Sequence, residues 1–378
     1  GGLFKLPSSG DSVLSKAYVR KGGELKMTGG TFSFKNPKNC WAGDAIRTSD
    51  GSAVNLSGTA RLEIESGTTA THLFGGGVTT FAGSSSIGGA SLSGIEMNPP
   101  DAGCSGVVRV VEHAAWFPRG ESKRPVFLNI GTSAGRPMYM ELSSDAASWL
   151  SQSLRIGEGK GTGELTVSAG SILLDYAGIN IAGAYEQHGV LCTPTGFMKV
   201  TGGTVEVMGG TDFSGTIIGA GNTAATDANG NFLDNLFRGR LDISGDAYYK
   251  NTGNSQVVVG VGQAEAELNQ SGGTLTVART DLGGASIIGM AGAQGVWTMT
   301  GGTATLSGYL YVGGITTNEL GRQVSGGDGD GRRYPAELGP NGTGKLALSG
   351  GTMTVAKDLV LSAEGLGTLE LKPGANAL

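Results

Sequence analysis

"VWTMTGGTATLSGYLYVGG", residues 296–314, decides the fold. Trp297, Met299, Ala304 and Leu306 alternate with small polar residues on either side of Gly301-Gly302. A period of two means one buried face and one wet face, so the stretch reads as strand, tight turn, strand. The two glycines permit φ > 0 or a close backbone approach at the corner. Tyr309 to Gly313 reads as a third strand, and nothing in the stretch is an acid, a base, a histidine or a cysteine.

The stretch has copies. The Gly-Gly-Thr step recurs at Gly29-Gly30-Thr31, Gly202-Gly203-Thr204, Gly209-Gly210-Thr211, Gly272-Gly273-Thr274 and Gly350-Gly351-Thr352. Looser copies are "VNLSGTARLEI" (54–64), "ELTVSAGSILL" (164–174) and "LDISGDAYY" (241–249). A second marker places an apolar residue or pair before a glycine, at Gly157, Gly219, Gly260, Gly289 and Gly313. From marker to turn, Gly157 to Gly170, Gly260 to Gly273 and Gly289 to Gly302 each span 13 residues. The return leg is 11 residues from Gly302 to Gly313 and 16 from Gly273 to Gly289, so a unit of three short strands takes about 25–29 residues.

Such a unit has too little apolar surface to fold alone, and its neighbours must stack to enclose a core. Three strands per unit with no helical connector predict an all-β, right-handed parallel β-helix, the hand being a preference of the fold class. A β-propeller blade needs four strands, which a 13-residue interval cannot supply. One β-helix is expected over 1–378, with irregular coils carrying longer excursions over 1–150 and regular coils over 151–378. The segment "SSDAASWLSQSL" (143–154) predicts a short helix capped by Ser or Asp. Gln270 stands where other copies have Val200, Met299 and Leu348, and it is expected to bond corner backbone.

Composition narrows the function classes. Glycine supplies 70 of 378 residues without a collagen period, and 38% of the chain is hydrophobic in patterned clusters, which argues against disorder. Net charge is −5 with scattered Lys and Arg, leaving no footprint for nucleic acid. No apolar run is long enough for a membrane-spanning helix. The chain begins Gly1-Gly2 with neither a methionine nor a signal peptide, as expected of a processed product or of a piece of something longer. Cys40, Cys104 and Cys192 lack the CxxC spacing of a zinc site, and an odd count leaves at least one thiol free or paired between chains. A Cys40–Cys104 bridge is one pairing open to them.

Three insertions enter the repeat at one point, at 184–196, 220–239 and 314–344, which predicts a decorated ridge where binding would concentrate. On it, Tyr185, Glu186, His188, Phe232, Arg322, Arg332, Arg333 and Tyr334 are the candidate binding residues. Asp227, Asn229, Asn231 and Asp234 place oxygen ligands at alternate positions, as at the start of a calcium loop, but Arg238 stands where an EF-hand has its bidentate Glu. Asp328 and Asp330 in "GGDGDG" (326–331) form a second candidate calcium pair, displaced from the GGxGxD pattern of β-rolls. Ordinary Asn/Asp/Gly surface loops account for both, so no cofactor is required and calcium is the ion these loops would take. His188 and Cys192 lie four residues apart, which neither ensures nor excludes the contact a nucleophile pair needs. Asp175, Asp212, Asp242 and Asp246, with Arg240, are the nearby strand-borne set to test for polysaccharide-lyase chemistry.

The runs "GTGELTVSAGSILL", "LNQSGGTLTVA" and "GKLALSGGTMTVA" resemble the repeats of large bacterial surface and secreted proteins. These include autotransporter-type passengers and the Gly/Thr-rich β-helix proteins of Planctomycetes and Verrucomicrobia. The resemblance covers 150–378 well and 1–150 loosely. It implies an extracellular or cell-surface location and a role as stalk, adhesin or scaffold, and it carries over no catalytic residue.

The terminal segments are apolar, with Leu3, Phe4 and Leu6 at one end and Leu369, Leu371 and Leu378 at the other. An uncapped solenoid end exposes unpaired backbone, so self-association end to end or continuation of the chain is expected. The expectation from sequence is therefore a non-enzymatic structural or adhesive β-solenoid, part of an extended assembly or filament, with surface glycans as a further partner class. The alternative is a carbohydrate-binding or carbohydrate-cleaving β-helix that acts through the ridge loops.

Overall fold

In the computed structural model the chain is all-β, a parallel β-helix without a helix among the described residues. Those residues are 3–377 except 6–10, 15–16, 36–42, 66–70, 90–93, 98–104, 119–126, 133–135, 146–147, 175–177, 184–192, 210–214, 222–235, 254, 281–284, 291, 315–341 and 364. The chain divides into two compact units, Gly1–Arg155 with Gly161–Leu173, and Ile156–Lys160 with Leu174–Leu378.

The first unit has three parallel sheets, each coil giving one strand to each. One sheet runs through Glu24–Met27, Ala53–Leu56, Gly77–Phe81, Gly106–Val110 and Met138–Leu142. The second runs through Asp11–Leu14, Thr31–Lys35, Arg61–Glu65, Ser86–Gly88 and Ala115–Trp116. The third includes Thr71–Leu73, Gly94–Met97 and Phe127–Ile130. The irregular-looking half of the sequence is thus built on in-register coils. Its core centres on Phe74, Phe81, Trp116 and Phe117, fully buried rings meeting edge to face at 5.7–6.4 Å. Burial of each such ring contributes about 2–3 kcal/mol.

The expected helix at 143–154 does not form. Ser148–Ser151 and Ser153–Glu158 are strands. The residues meant to cap a helix are bonded to the preceding coil instead. Ser143 N–H donates to the Val110 carbonyl, Asp145 N–H to that of Glu112, and the buried Ser144 hydroxyl to that of Ala114 at 2.8 Å. Ladder bonds to the neighbouring coil outweigh a local capping preference worth about 1 kcal/mol.

The second unit differs in its corners. Ala264–Val277, Gln294–Leu306 and Thr343–Val355 each run unbroken through their Gly-Gly step, with a register shift in place of a break. At these three steps Gly-Gly-Thr is a bulged bend within a continuous ladder, whereas Gly202-Gly203 separates Thr195–Val200 from Thr204–Val207 and Gly29-Gly30 separates Glu24–Met27 from Thr31–Lys35, as a turn between two strands does. The marker glycines are all left-handed, with φ from +67° at Gly157 to +86° at Gly260 and Gly313, and so are the second glycines of the Gly-Gly steps, such as Gly273 at +65° and Gly302 at +81°. Register confirms the period, since Arg240 pairs with Glu267 and Glu267 with Val296, 27 and 29 positions apart.

The marker strands Gly215–Gly221, Gln256–Gly262, Ser286–Met290 and Leu310–Val312 are buried on both faces. One face joins the solenoid core. The other forms a separate cluster with Ile217, Val258, Ile287 and Tyr311 at its centre, flanked by Ala220, Val261 and Met290. Consecutive apolar residues such as "VVVGV" are the signature of a parallel strand covered on both sides.

Candidate functional site

Each of the three insertions of the second unit begins where a marker strand ends. Ile179–Gly183 is followed by Thr195–Val200, Gly215–Gly221 by Phe237–Ile243, and Leu310–Val312 by Thr343–Val355. The common entry point inferred from spacing therefore holds in the topology. The insertions' candidate residues lie outside the described residues: Tyr185, Glu186, His188, Asp227, Asn229, Asn231, Phe232, Asp234, Arg322, Asp328, Asp330, Arg332, Arg333 and Tyr334. So do the three cysteines, Asp175, Asp212, Leu6 and Leu378. Among the described residues, no group of three or more His, Cys, Asp or Glu is placed to hold a metal ion.

Asp242 of the strand-borne acidic set stands in an ion ladder. Arg240 grips Asp242 through two bonds of 2.8 Å, and Asn269 donates to the same carboxylate at 3.0 Å. The Asp242 bond and charge raise the Arg240 pKa above its ordinary value, against the opposing effect of burial. Arg240 also lies 3.9 Å from Glu267 and stacks 5.2 Å over the Phe197 ring, while Arg238 pairs with Glu265 at 3.2 Å. Asp246 lies in the turn after this strand and, among the described residues, joins no such cluster. Of the set weighed from sequence, Arg240 and Asp242 thus lie in an outer-face ladder of charge, while Asp175 and Asp212 lie outside the described residues.

Gln270 behaves as expected in part. It is buried, and its Nε2 donates to the Thr303 carbonyl at 2.9 Å, but its Oε1 meets no partner among the described residues. Sequence reasoning missed a second polar group in the core. The Thr216 hydroxyl sits 2.8 Å from the Tyr249 hydroxyl and donates to Asn251 Oδ1 at 3.1 Å, with all three residues wholly buried. Burial raises the Tyr249 phenol pKa, and the Thr216 bond opposes this. These three residues are brought together by strand register from positions 33 and 35 apart in sequence, and no local motif announces them.

The last described coil exposes core positions. Leu359 and Leu361 pair with Leu310 and Val312, and Leu371 pairs with Leu348. The inner members of these pairs are at most 2% exposed, whereas Leu359, Leu361 and Leu371 are 39%, 44% and 56% exposed. Outside them, Lys345 and Lys372 flank Glu370 at 2.8 and 3.1 Å and lower its pKa, the Lys345 bond being the larger cause. Leu369 shares this strand, Leu366–Leu371, beside Leu346. At the other terminus Leu3–Lys5 pairs with Glu24–Met27, with Phe4 opposite Leu25. No family model matches the sequence, and comparison with curated proteins and with solved structures returns no significant match, so any functional reading rests on the molecule's own geometry.

Proposed function

We propose that this chain is a structural or adhesive β-solenoid of the cell surface or extracellular space, a segment or subunit of an extended assembly. The observation that carries the reading is the uncovered leucine layer at Leu359, Leu361 and Leu371. These side chains continue inward columns that are sealed one coil earlier, beside strands whose outer backbone groups are open for pairing. A further parallel coil would cover them, supplied by continuing chain or by a second copy stacked head to tail in a contact that does not close on itself. The repeat itself supports a scaffolding task, because its outward positions are threonine, serine and paired charges.

The test is electron microscopy and sedimentation of the purified chain over a range of concentrations. Rods that lengthen with concentration, and that a Leu359→Lys/Leu361→Lys/Leu371→Lys variant abolishes, are expected. Dispersed single particles at every concentration, unaffected by that variant, would overturn self-stacking for the chain as given.

A further inference from the structure

Three aligned segments of the second unit, 268–278, 297–307 and 346–356, contain no Asp, Glu, Lys or Arg in a chain that is 16% charged. Each carries a Thr-X-Thr step: Thr274 and Thr276, Thr303 and Thr305, Thr352 and Thr354. Register sets these in two columns, Thr274–Thr303–Thr352 and Thr276–Thr305–Thr354. Leu275, Ala304 and Met353 between them are buried, so the strand alternation turns all six threonines to the outer face. Thr303 is exposed and the other five are half-buried. Ser307 N–H donates to the Val277 carbonyl and Ala356 N–H to that of Leu306, both at 2.9 Å, which sets Ala278, Ser307 and Ala356 beside the columns as a border of small residues.

The array repeats in two directions. Successive coils lie about 4.8 Å apart, and alternate residues along a strand about 6.6 Å apart. Threonine is β-branched, so its methyl and hydroxyl are confined to few rotamers. Among the described residues, none of these six hydroxyls bonds to a protein group. Hydroxyls on other outer positions are engaged, as Ser33 is with Glu63 at 3.3 Å and Thr252 with Glu206 at 3.4 Å. The six are left to solvent at intervals that the backbone ladder fixes.

A small molecule or a flexible polymer would be recognised by a pocket, an aromatic platform or a set of charges, and these coils offer none of them on this face. A repeating surface of donors and acceptors matches a ligand that itself repeats. The two spacings lie close to the two oxygen repeats on a prism face of ice. Hydroxyls can bond lattice water while the methyls rest between, and no strongly hydrated ammonium or carboxylate stands among them to hold liquid water in place.

We propose that Thr274, Thr276, Thr303, Thr305, Thr352 and Thr354 form an ice-binding face, whose ligand is crystalline water. The activity goes beyond scaffolding and does not depend on end-to-end stacking. The columns stop on one side at Tyr248 and Lys250, which pair with Thr274 and Thr276. Beyond Thr352 stands Asn376, another uncharged polar residue.

The experiment grows ice slowly on a cooled probe in a dilute solution of the full chain and measures the protein taken into the ice against that left in the liquid. Ice recrystallisation in a frozen sucrose film is the second readout. Two variants are compared with the parent, Thr303→Lys/Thr305→Lys at the centre of the array and Tyr248→Thr/Lys250→Thr, which lengthens both columns by one coil. Circular dichroism and melting temperature establish that each is folded. The parent is expected to be enriched in the ice and to slow recrystallisation, the lysine variant to lose both effects, and the lengthened array to be enriched more than the parent. Exclusion of the folded parent from ice overturns the proposal. So does a folded lysine variant that enters ice as well as the parent does, or a lengthened array that enters it less.

Discussion

Gly289 rests against the carbonyl of Thr343 on the next coil so closely that a Cβ at Gly289 would collide with that oxygen and with the Thr343 carbonyl carbon. The glycine is also left-handed, at φ +73°. Two independent penalties meet at one marker position, the conformational one and the steric one.

Gly289→Ala should therefore destabilise the second unit by about 3–5 kcal/mol, combining left-handed strain of about 1–2 kcal/mol with a backbone clash that rungs held by hydrogen bonds cannot relieve. Gly22 supplies the contrast, with φ +74° but open space around its missing Cβ. Gly22→Ala should cost only the strain, about 1–2 kcal/mol. Urea titrations of the two variants measure the gap, and equal midpoints would show that inter-coil contact is not what selects glycine at the marker.

Replacing Gln270 with methionine copies the residue of the adjacent coil, Met299, into the same inward column. The variant loses one bond to the Thr303 carbonyl and gains relief from a buried Oε1 that has no partner among the described residues. Because an unpaired buried polar atom costs about 1–3 kcal/mol and a bond returns about 1, the variant should be as stable as the parent or up to about 1 kcal/mol more so. A drop in melting temperature would mean that Gln270 holds this bend in register.

Tyr249 gives an alkaline signature. Its folded pKa is raised by burial above the ordinary value near 10 of the unfolded chain. The unfolded state thus releases the proton first, so this contribution to stability is fully present below pH ~10 and is lost as pH rises above it. Tyr249→Phe should flatten the alkaline limb of the stability curve. At neutral pH it should cost about 1 kcal/mol, since the Thr216 hydroxyl keeps its bond to Asn251. Denaturation midpoints at pH 8, 10 and 11 check both parts.

Glu370 titrates in the opposite sense. Its pKa is lowered by Lys345 and Lys372, so its contribution is present above the ordinary carboxylate range and fades as pH falls through the depressed value. The group is solvent-exposed, and the effect should be small and salt-sensitive. Melting of Glu370→Gln between pH 6 and 3, at low and high salt, should lose the acid dependence carried by this site; an unchanged acid limb would assign it elsewhere.

Much of this architecture was legible in the sequence because a period of two and a glycine at fixed spacing are local facts. Trp297, Met299, Ala304 and Leu306 were read as inward, and all are buried. The spacing of Gly260, Gly289 and Gly313 marked positions where the backbone is left-handed. The candidate ridge residues were legible only as insertions, since nothing periodic constrains a loop.

Other features depend on which rung lies beside which, and tertiary structure alone decided them. Ser143 and Asp145 look like helix caps until the Val110 and Glu112 carbonyls claim their N–H groups. Thr216, Tyr249 and Asn251 share no local motif, and register alone buries them together. The repeat dictated that the chain would coil, because each unit's apolar face must be covered. Neighbouring coils then settled how the chain bends at each glycine pair, which strands are covered twice, and which side chains meet, because those outcomes are fixed by hydrogen bonds between residues about 25–50 positions apart.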